Sequence, residues 1–147
     1  MEIAVLALGC FWGPEIKFSK IEGVIKTEVG YCGGNSPTTT YKEVCTGKTN
    51  HAEVVKIDFD EKIITYEKIL KIFFQIHDPT TLNSQGPDFG TQYRSEIFYL
   101  NDSQRVVAER VLRNVDDRMS GKVVTKISLL KNYCPAEEYH QKYLEKR

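Results

Sequence analysis

No apolar stretch in this sequence approaches the ~20 residues that a membrane-spanning helix needs. Neither sign of charge is in excess, with 20 Lys and Arg against 20 Asp and Glu in 147 residues. The first absence argues against a membrane-embedded helix, and the second leaves no global field to hold nucleic acid or an anionic membrane surface. The run "IAVLALGC" superficially resembles the end of a secretion or lipid-attachment signal, but Met1-Glu2 supplies no basic leader and the run is too short. No two of the four cysteines have the C-x2–4-C spacing of a zinc site. Without a Cys-rich frame they predict reduced thiols, hence a cytoplasmic protein in which any disulfide is transient and catalytic. Repeats and low-complexity tracts are missing too. A chain of this length predicts one domain, 1–147, that buries about two-thirds of its unfolded surface.

What is present alternates in type. "IAVLALG" (3–9) is a continuous apolar run bounded by glycine and predicts a central strand. Pro14 stands where a first helical turn tolerates it, and "EIKFSKI" follows as a helix that Gly23 ends. "VIKTEVGYC" (24–32) alternates as a strand, and "GGNSPTTT" is a long polar connection. "HAEVVKIDF" (51–59) predicts a third strand, with Ala52, Val54, Ile57 and Phe59 near the core and a slip of parity between them. "TYEKILKIFFQIH" (65–77) is a helix with Thr65 as N-cap and Asp78-Pro79 as its stop. The turn-rich segment 78–92 exceeds ordinary loop length and is too specific in composition for a linker. A strand (93–100), an amphipathic helix (102–119), a last strand (122–130) and a C-terminal helix beginning at Pro135 complete the pattern.

The first six elements spell β-α-β-β-α-β. The expected fold is therefore α+β, a ferredoxin-like βαββαβ two-layer core with an added helix, strand and C-terminal helix. In that topology Cys10, the connection 32–50, the start of the third strand, the loop 78–92 and Tyr93 meet at one sheet edge. Cys10 follows the first strand at the start of a helix, where amide N–H groups and the dipole favour a thiolate, with a pKa expected in the range ~3.5–7.5. On position alone a nucleophile and a buried structural thiol weigh about equally. Phe11 and Trp12 are core residues by type, or walls of a small apolar pocket. Glu53 is an ordinary solvated strand residue unless it faces such a pocket, where desolvation would make it a proton donor near neutral pH. Tyr41 and Tyr93 are candidate hydroxyl donors for a polar oxygen, while Asp88 could instead be a simple turn former. His51 and His140 read as structural hydrogen-bonders rather than bases. A Cys-His acyl hydrolase needs an oriented imidazole, which the sequence does not single out. A thiol sensor would need no proton donor for a leaving oxygen.

"GCFWGPE", "GYCGG", "TYKEVCTGKTNHAEVV", "QGPDFGTQYRSEIFYL" and "CPAEEYHQKYL" together resemble the peptide methionine sulfoxide reductases of type A, in the family's order and across almost the whole chain. The resemblance implies thiol-dependent reduction of methionine S-sulfoxide, free or in peptides and proteins. It makes Cys10 the nucleophile that becomes a sulfenic acid, Phe11 and Trp12 the cage for the substrate's methyl group, and Glu53 the acid that protonates the oxygen. Tyr41 and Tyr93 hydrogen-bond to that oxygen, and Asp88 matches an acidic position that organises waters or donors around it. It further implies no metal and no organic cofactor, an external dithiol such as thioredoxin, and a monomer that binds neither nucleic acid nor membrane. The chain departs from the pattern at recycling, since it reaches Arg147 without the tail cysteine that many members carry. Cys32 and Cys134 are then the candidate resolving thiols, with direct attack by an external thiol as the alternative, and Cys45 reads as structural. Asn50 and Pro87 stand where glycine and asparagine are usual. Asn50 can adopt the positive φ of the turn, whereas Pro87 removes an N–H near Asp88.

Overall fold

The computed structural model describes residues 1–143. Its strands are β1 (Glu2–Leu8), β2 (Val24–Cys32), β3 (Ala52–Phe59), β4 (Ser84–Gln85), β5 (Asp88–Phe89), β6 (Ser95–Tyr99), β7 (Lys126–Leu129) and β8 (Cys134–Pro135). Its helices are α1 (Trp12–Ser19), α2 (Tyr41–Cys45), α3 (Tyr66–Gln75) and α4 (Asp102–Arg118). The chain is thus a mixed α+β fold, one six-stranded sheet with helices.

The sheet order is β7-β6-β1-β3-β2-β8. β1 pairs antiparallel with β3 and β6, and β2 antiparallel with β3 and β8; only β7 runs parallel to its neighbour β6. Strand β1 therefore occupies the centre, as its unbroken burial from Ala4 to Leu8 requires. Helices α1, α3 and α4 pack on one face through Phe18, Ile69, Leu70, Phe73, Ala108 and Val111 against Ala4, Leu6, Val29, Ile57 and Ile97. Each fully buried Phe or Leu contributes roughly 1.5–3 kcal/mol. The opposite face carries Val5, Ala7, Cys32, Ala52, Val54 and Phe98, covered by Leu130 and Tyr133. Tyr133 passes so close that a Cβ on Gly30 would lie 2.8 Å from its ring.

This second cover explains the slipped parity of β3. Ala52, Glu53, Val54 and Val55 are all buried because both faces are covered at the start of the strand. Thr65 caps α3 as expected, its Oγ1 accepting from the Lys68 N–H at 3.1 Å. Three expectations need correction. The polar connection after β2 ends in a helix, α2, whose Thr40 Oγ1 accepts from the Glu43 N–H at 3.2 Å. The loop 78–92 contains the hairpin β4-β5 and a 3-10 turn at Thr91–Tyr93. In place of a helix from Pro135, the edge strand β8 is followed by the 3-10 turn Glu138–His140. Glu137 and Gln141 explain that difference. The Glu137 carboxylate accepts from the Tyr41 N–H, and the Gln141 amide bonds both the N–H and the C=O of Val29, so the segment is tied to β2 instead of to itself. The rest of the expected C-terminal helix, 144–147, lies outside the described residues.

Candidate active site

Gly9 makes the turn from β1 to the thiol. Its φ of +98° suits glycine, and a Cβ there would lie 2.8 Å from Gln85, so the 78–92 segment can close over it. The next residue, Cys10, is half-buried just before α1. The Trp12 backbone N–H bonds the sulfur and lowers the thiol pKa, as a helix start should. Burial and the nearby carboxylates Glu53 and Asp88 act the other way and dominate, pushing the thiol up to about 11. The expectation of a depressed pKa is therefore corrected: in the substrate-free site Cys10 is a thiol, because desolvation and two acidic neighbours outweigh one amide.

Glu53 lies on the helix-covered face, opposite Tyr31 in the β2-β3 ladder, and is 1% exposed. The Phe11 N–H donates to its Oε1 at 3.3 Å, while the buried Oε2 has no hydrogen-bond partner among the described residues. Burial, more than the nearby Asp88, raises its pKa to about 8 despite the Phe11 N–H, so the carboxyl holds its proton at neutral pH.

Phe11 is buried, its ring 5.8 Å from Tyr31 and 5.3 Å from His140. Trp12 stacks on Tyr143 at 4.0 Å, and its Nε1–H donates to His140 Nδ1 at 3.1 Å. Tyr41, the first residue of α2, lies 4.4 Å from the His140 ring, and its hydroxyl bonds the Cys45 thiol. Tyr93 closes the 3-10 turn, where burial and the charges of Glu53, Cys45, Asp88 and Cys10 push its hydroxyl up to about 12. Asp88 opens β5, after a hairpin turn in which Gly86 has a φ of +56° and Pro87 occupies a position whose N–H the two-residue ladder does not use. Asn50 does adopt positive φ, +60°, ahead of His51.

The structure thus brings Cys10, Phe11, Trp12, Tyr41, Glu53, Asp88 and Tyr93 to one edge. Cys32 requires a correction: it reaches that edge but faces the opposite side of the sheet, opposite Ala52, with its thiol donating to the Lys131 carbonyl at 3.2 Å. Cys134 pairs with Tyr31 and so shares the face of Glu53, its sulfur 3.7 Å from the Thr39 carbonyl. No His is hydrogen-bonded to Cys10 among the described residues. His51 Nε2 meets the Ser36 carbonyl and His140 meets Trp12, which leaves a Cys-His hydrolase without its base.

Three supports hold the site: Arg94 and Glu137, which the sequence did not single out, and His140, which it marked as a structural hydrogen-bonder without its partner. Arg94 pairs with Glu96 at 2.6 Å and donates to the carbonyls of Thr91 and Asn50, tying the Tyr93 turn to the turn before Glu53. Glu137 accepts from the Tyr31 hydroxyl at 2.7 Å and from the Tyr41 N–H at 2.9 Å. His140 fills the space between Phe11, Trp12 and Tyr41. Their only trace in the sequence is the polar block "CPAEEYHQ" and the Arg of "GTQYRS". No group of three His, Cys, Asp or Glu able to hold a metal ion occurs among the described residues.

The family model described as "Peptide methionine sulfoxide reductase" matches residues 2–147. The chain is 80% identical to the peptide methionine sulfoxide reductase MsrA of Pelagibacter ubique, over all of both chains. Its fold resembles Mxr1 from Saccharomyces cerevisiae in reduced form, with a TM-score of 0.94 at 41% identity over 99% of this chain and 85% of that one. It also resembles Mxr1 in complex with Trx2, with a TM-score of 0.69 at 26% identity over 97% and 84% of the two chains.

Proposed function

The chain belongs to the peptide methionine sulfoxide reductase family, oxidoreductases that reduce methionine sulfoxide, and on that premise we propose that it acts on the S epimer through a sulfenic acid on Cys10. The observation that carries this reading is the Glu53 carboxyl, protonated at neutral pH, anchored by the Phe11 N–H on one oxygen and unpartnered on the other. Sulfoxide oxygen leaves only when protonated, and Glu53 is the buried acid beside the thiol.

Glu53 gives its proton to the sulfoxide oxygen and the substrate sulfur becomes electrophilic. The Cys10 sulfur attacks it, the oxygen passes to Cys10, and the thiol proton returns to Glu53. Thiol and sulfoxide become sulfenic acid and thioether, and the substrate sulfur gains the two electrons that Cys10 loses. Phe11 and Trp12 cage the methyl group, Tyr41 and Tyr93 bond the oxygen, and Asp88 organises donors around it.

For recycling we assign Cys134 rather than Cys32, on the support of the sheet face that Cys134 shares with Glu53. Its thiol condenses with the sulfenic acid to a disulfide and water, and an external dithiol of the thioredoxin type restores both thiols. The complex of Mxr1 with Trx2 supports that reductant class. We read β1-α1-β2-β3-α3-β6, ordered β6-β1-β3-β2, as a ferredoxin-like unit within one catalytic domain. Four free thiols suit a reducing, cytoplasmic setting.

The test is single-turnover reduction of each epimer by prereduced protein without added reductant. One methionine and two thiols lost per chain, on the S epimer only, is the expected result. No methionine from either epimer overturns the reading.

A further inference from the structure

Trp12 is the only tryptophan of the chain, and two contacts fix its indole. Tyr143 stacks on its face, which limits tilt, while His140 Nδ1 accepts from its Nε1–H, which fixes rotation in the ring plane. An indole nitrogen can only donate, so Nδ1 must carry no proton and the neutral ring must hold its proton on Nε2. His140 is 1% exposed, packed by Phe11, Trp12, Tyr41 and Tyr139, and its buried Nε2 has no hydrogen-bond partner among the described residues. The residues are 128 positions apart in sequence, so the bond exists only because the segment after β8 is tied across β2.

We propose that His140 is a positioning residue that holds Trp12 in its cage orientation through an unprotonated Nδ1, so that protonation of the ring frees the indole and weakens sulfoxide binding. A proton on Nδ1 would set two donors against each other at a separation of 3.1 Å, and the hydrogen bond would be lost. The charged group that acts on His140 is Glu137, which favours protonation; burial opposes it and prevails, so the ring is neutral at pH 7. Tyr31 and Tyr41, both bonded to Glu137, and Tyr139 are the other titratable neighbours, and none carries charge in the acid range. The inference rests on the reading of Trp12 as part of the methyl cage.

The experiment has two readouts. Acrylamide quenching of Trp12 emission, followed from pH 8 to 4.5 without substrate, should increase as His140 protonates, with a midpoint below about 6.5. KM for the S epimer should rise roughly tenfold over the same range, the effect of one lost hydrogen bond, while kcat changes by less than about threefold. His140→Asn keeps an acceptor near the indole and cannot titrate, so it should retain the neutral-pH KM and lose both acid transitions. His140→Phe keeps the ring shape without the acceptor and should show the high KM and the quenching of the acid form at every pH. If Trp12 quenching in the wild type is flat across the range, or persists unchanged in His140→Asn, the positioning role is wrong. That failure is separable from failure of the reductase reading, because the quenching titration needs no substrate and turnover is scored by methionine formed.

Discussion

Two glutamates of the same sheet, Glu53 on β3 and Glu96 on β6, are both buried, yet their surroundings are opposite. Glu96 lies on the second face, paired with Arg94 and accepting from the Ser128 hydroxyl. Glu53 lies on the helix-covered face with one N–H on Oε1 and, among the described residues, no partner on Oε2. A buried carboxylate is tolerable when its charge is matched and its lone pairs are filled, and Glu96 meets both conditions. Glu53 meets neither, so it keeps a proton, as the proposed acid role requires. Residue type and burial do not separate structural from chemical carboxyls. The partner list does.

Exchange of the two side chains for amides tests that contrast. Glu53→Gln should lower kcat on the S epimer by about 10²–10⁴, the range for loss of a positioned general acid, whereas Glu96→Gln should retain methionine formation to within a few-fold. Comparable losses in both would erase the distinction. Stability should behave inversely. Glu96→Gln leaves the Arg94 guanidinium buried without its counter-charge and should cost about 3 kcal/mol in denaturant unfolding at pH 7.

The pH dependence sharpens the contrast further. Because the folded-state pKa of Glu53 is raised from about 4.5 to about 8, the fold holds this proton more tightly than the unfolded chain does. Its contribution is therefore fully present below about pH 4.5 and is lost as pH rises through 8. Glu53→Gln should gain on wild type by roughly 3–5 kcal/mol across that window, at 1.36 kcal/mol per pKa unit. The same titration should make kcat/KM fall about tenfold per unit above pH 8 in wild type, as the acid form disappears. A flat profile up to pH 10 would remove Glu53 from the acid role.

The smallest expected effect separates the two faces through their cysteines. Cys134→Ser should reduce thiols lost per single turnover from about two to one with methionine yield unchanged, and Cys32→Ser should change neither count. Two thiols still lost in Cys134→Ser would move the resolving role to another cysteine.

Much of the architecture follows from local pattern. The β2 strand has the expected bounds, 24–32, because apolar alternation and flanking turns are local signals. Thr65 caps α3 through a bond three residues away. By contrast, α2 escaped notice: five residues with one buried apolar side chain, Val44, give no periodicity to read. The parity of β3 stayed ambiguous because Tyr133, far along the chain, covers its second face.

The sequence by itself determined the order of the larger elements, β1-α1-β2-β3-α3-β6-α4-β7, and the inventory of thiol, acid and aromatics that gather at one edge, because hydrophobic period, capping and turn chemistry act over a few residues. Only the tertiary structure decided that Cys10 rests as a thiol, that Glu53 keeps its proton, that Cys32 looks away while Cys134 shares the face of Glu53, and that His140 holds Trp12. Each of those depends on desolvation, or on a partner tens of residues distant, and such quantities exist only once the chain has closed on itself.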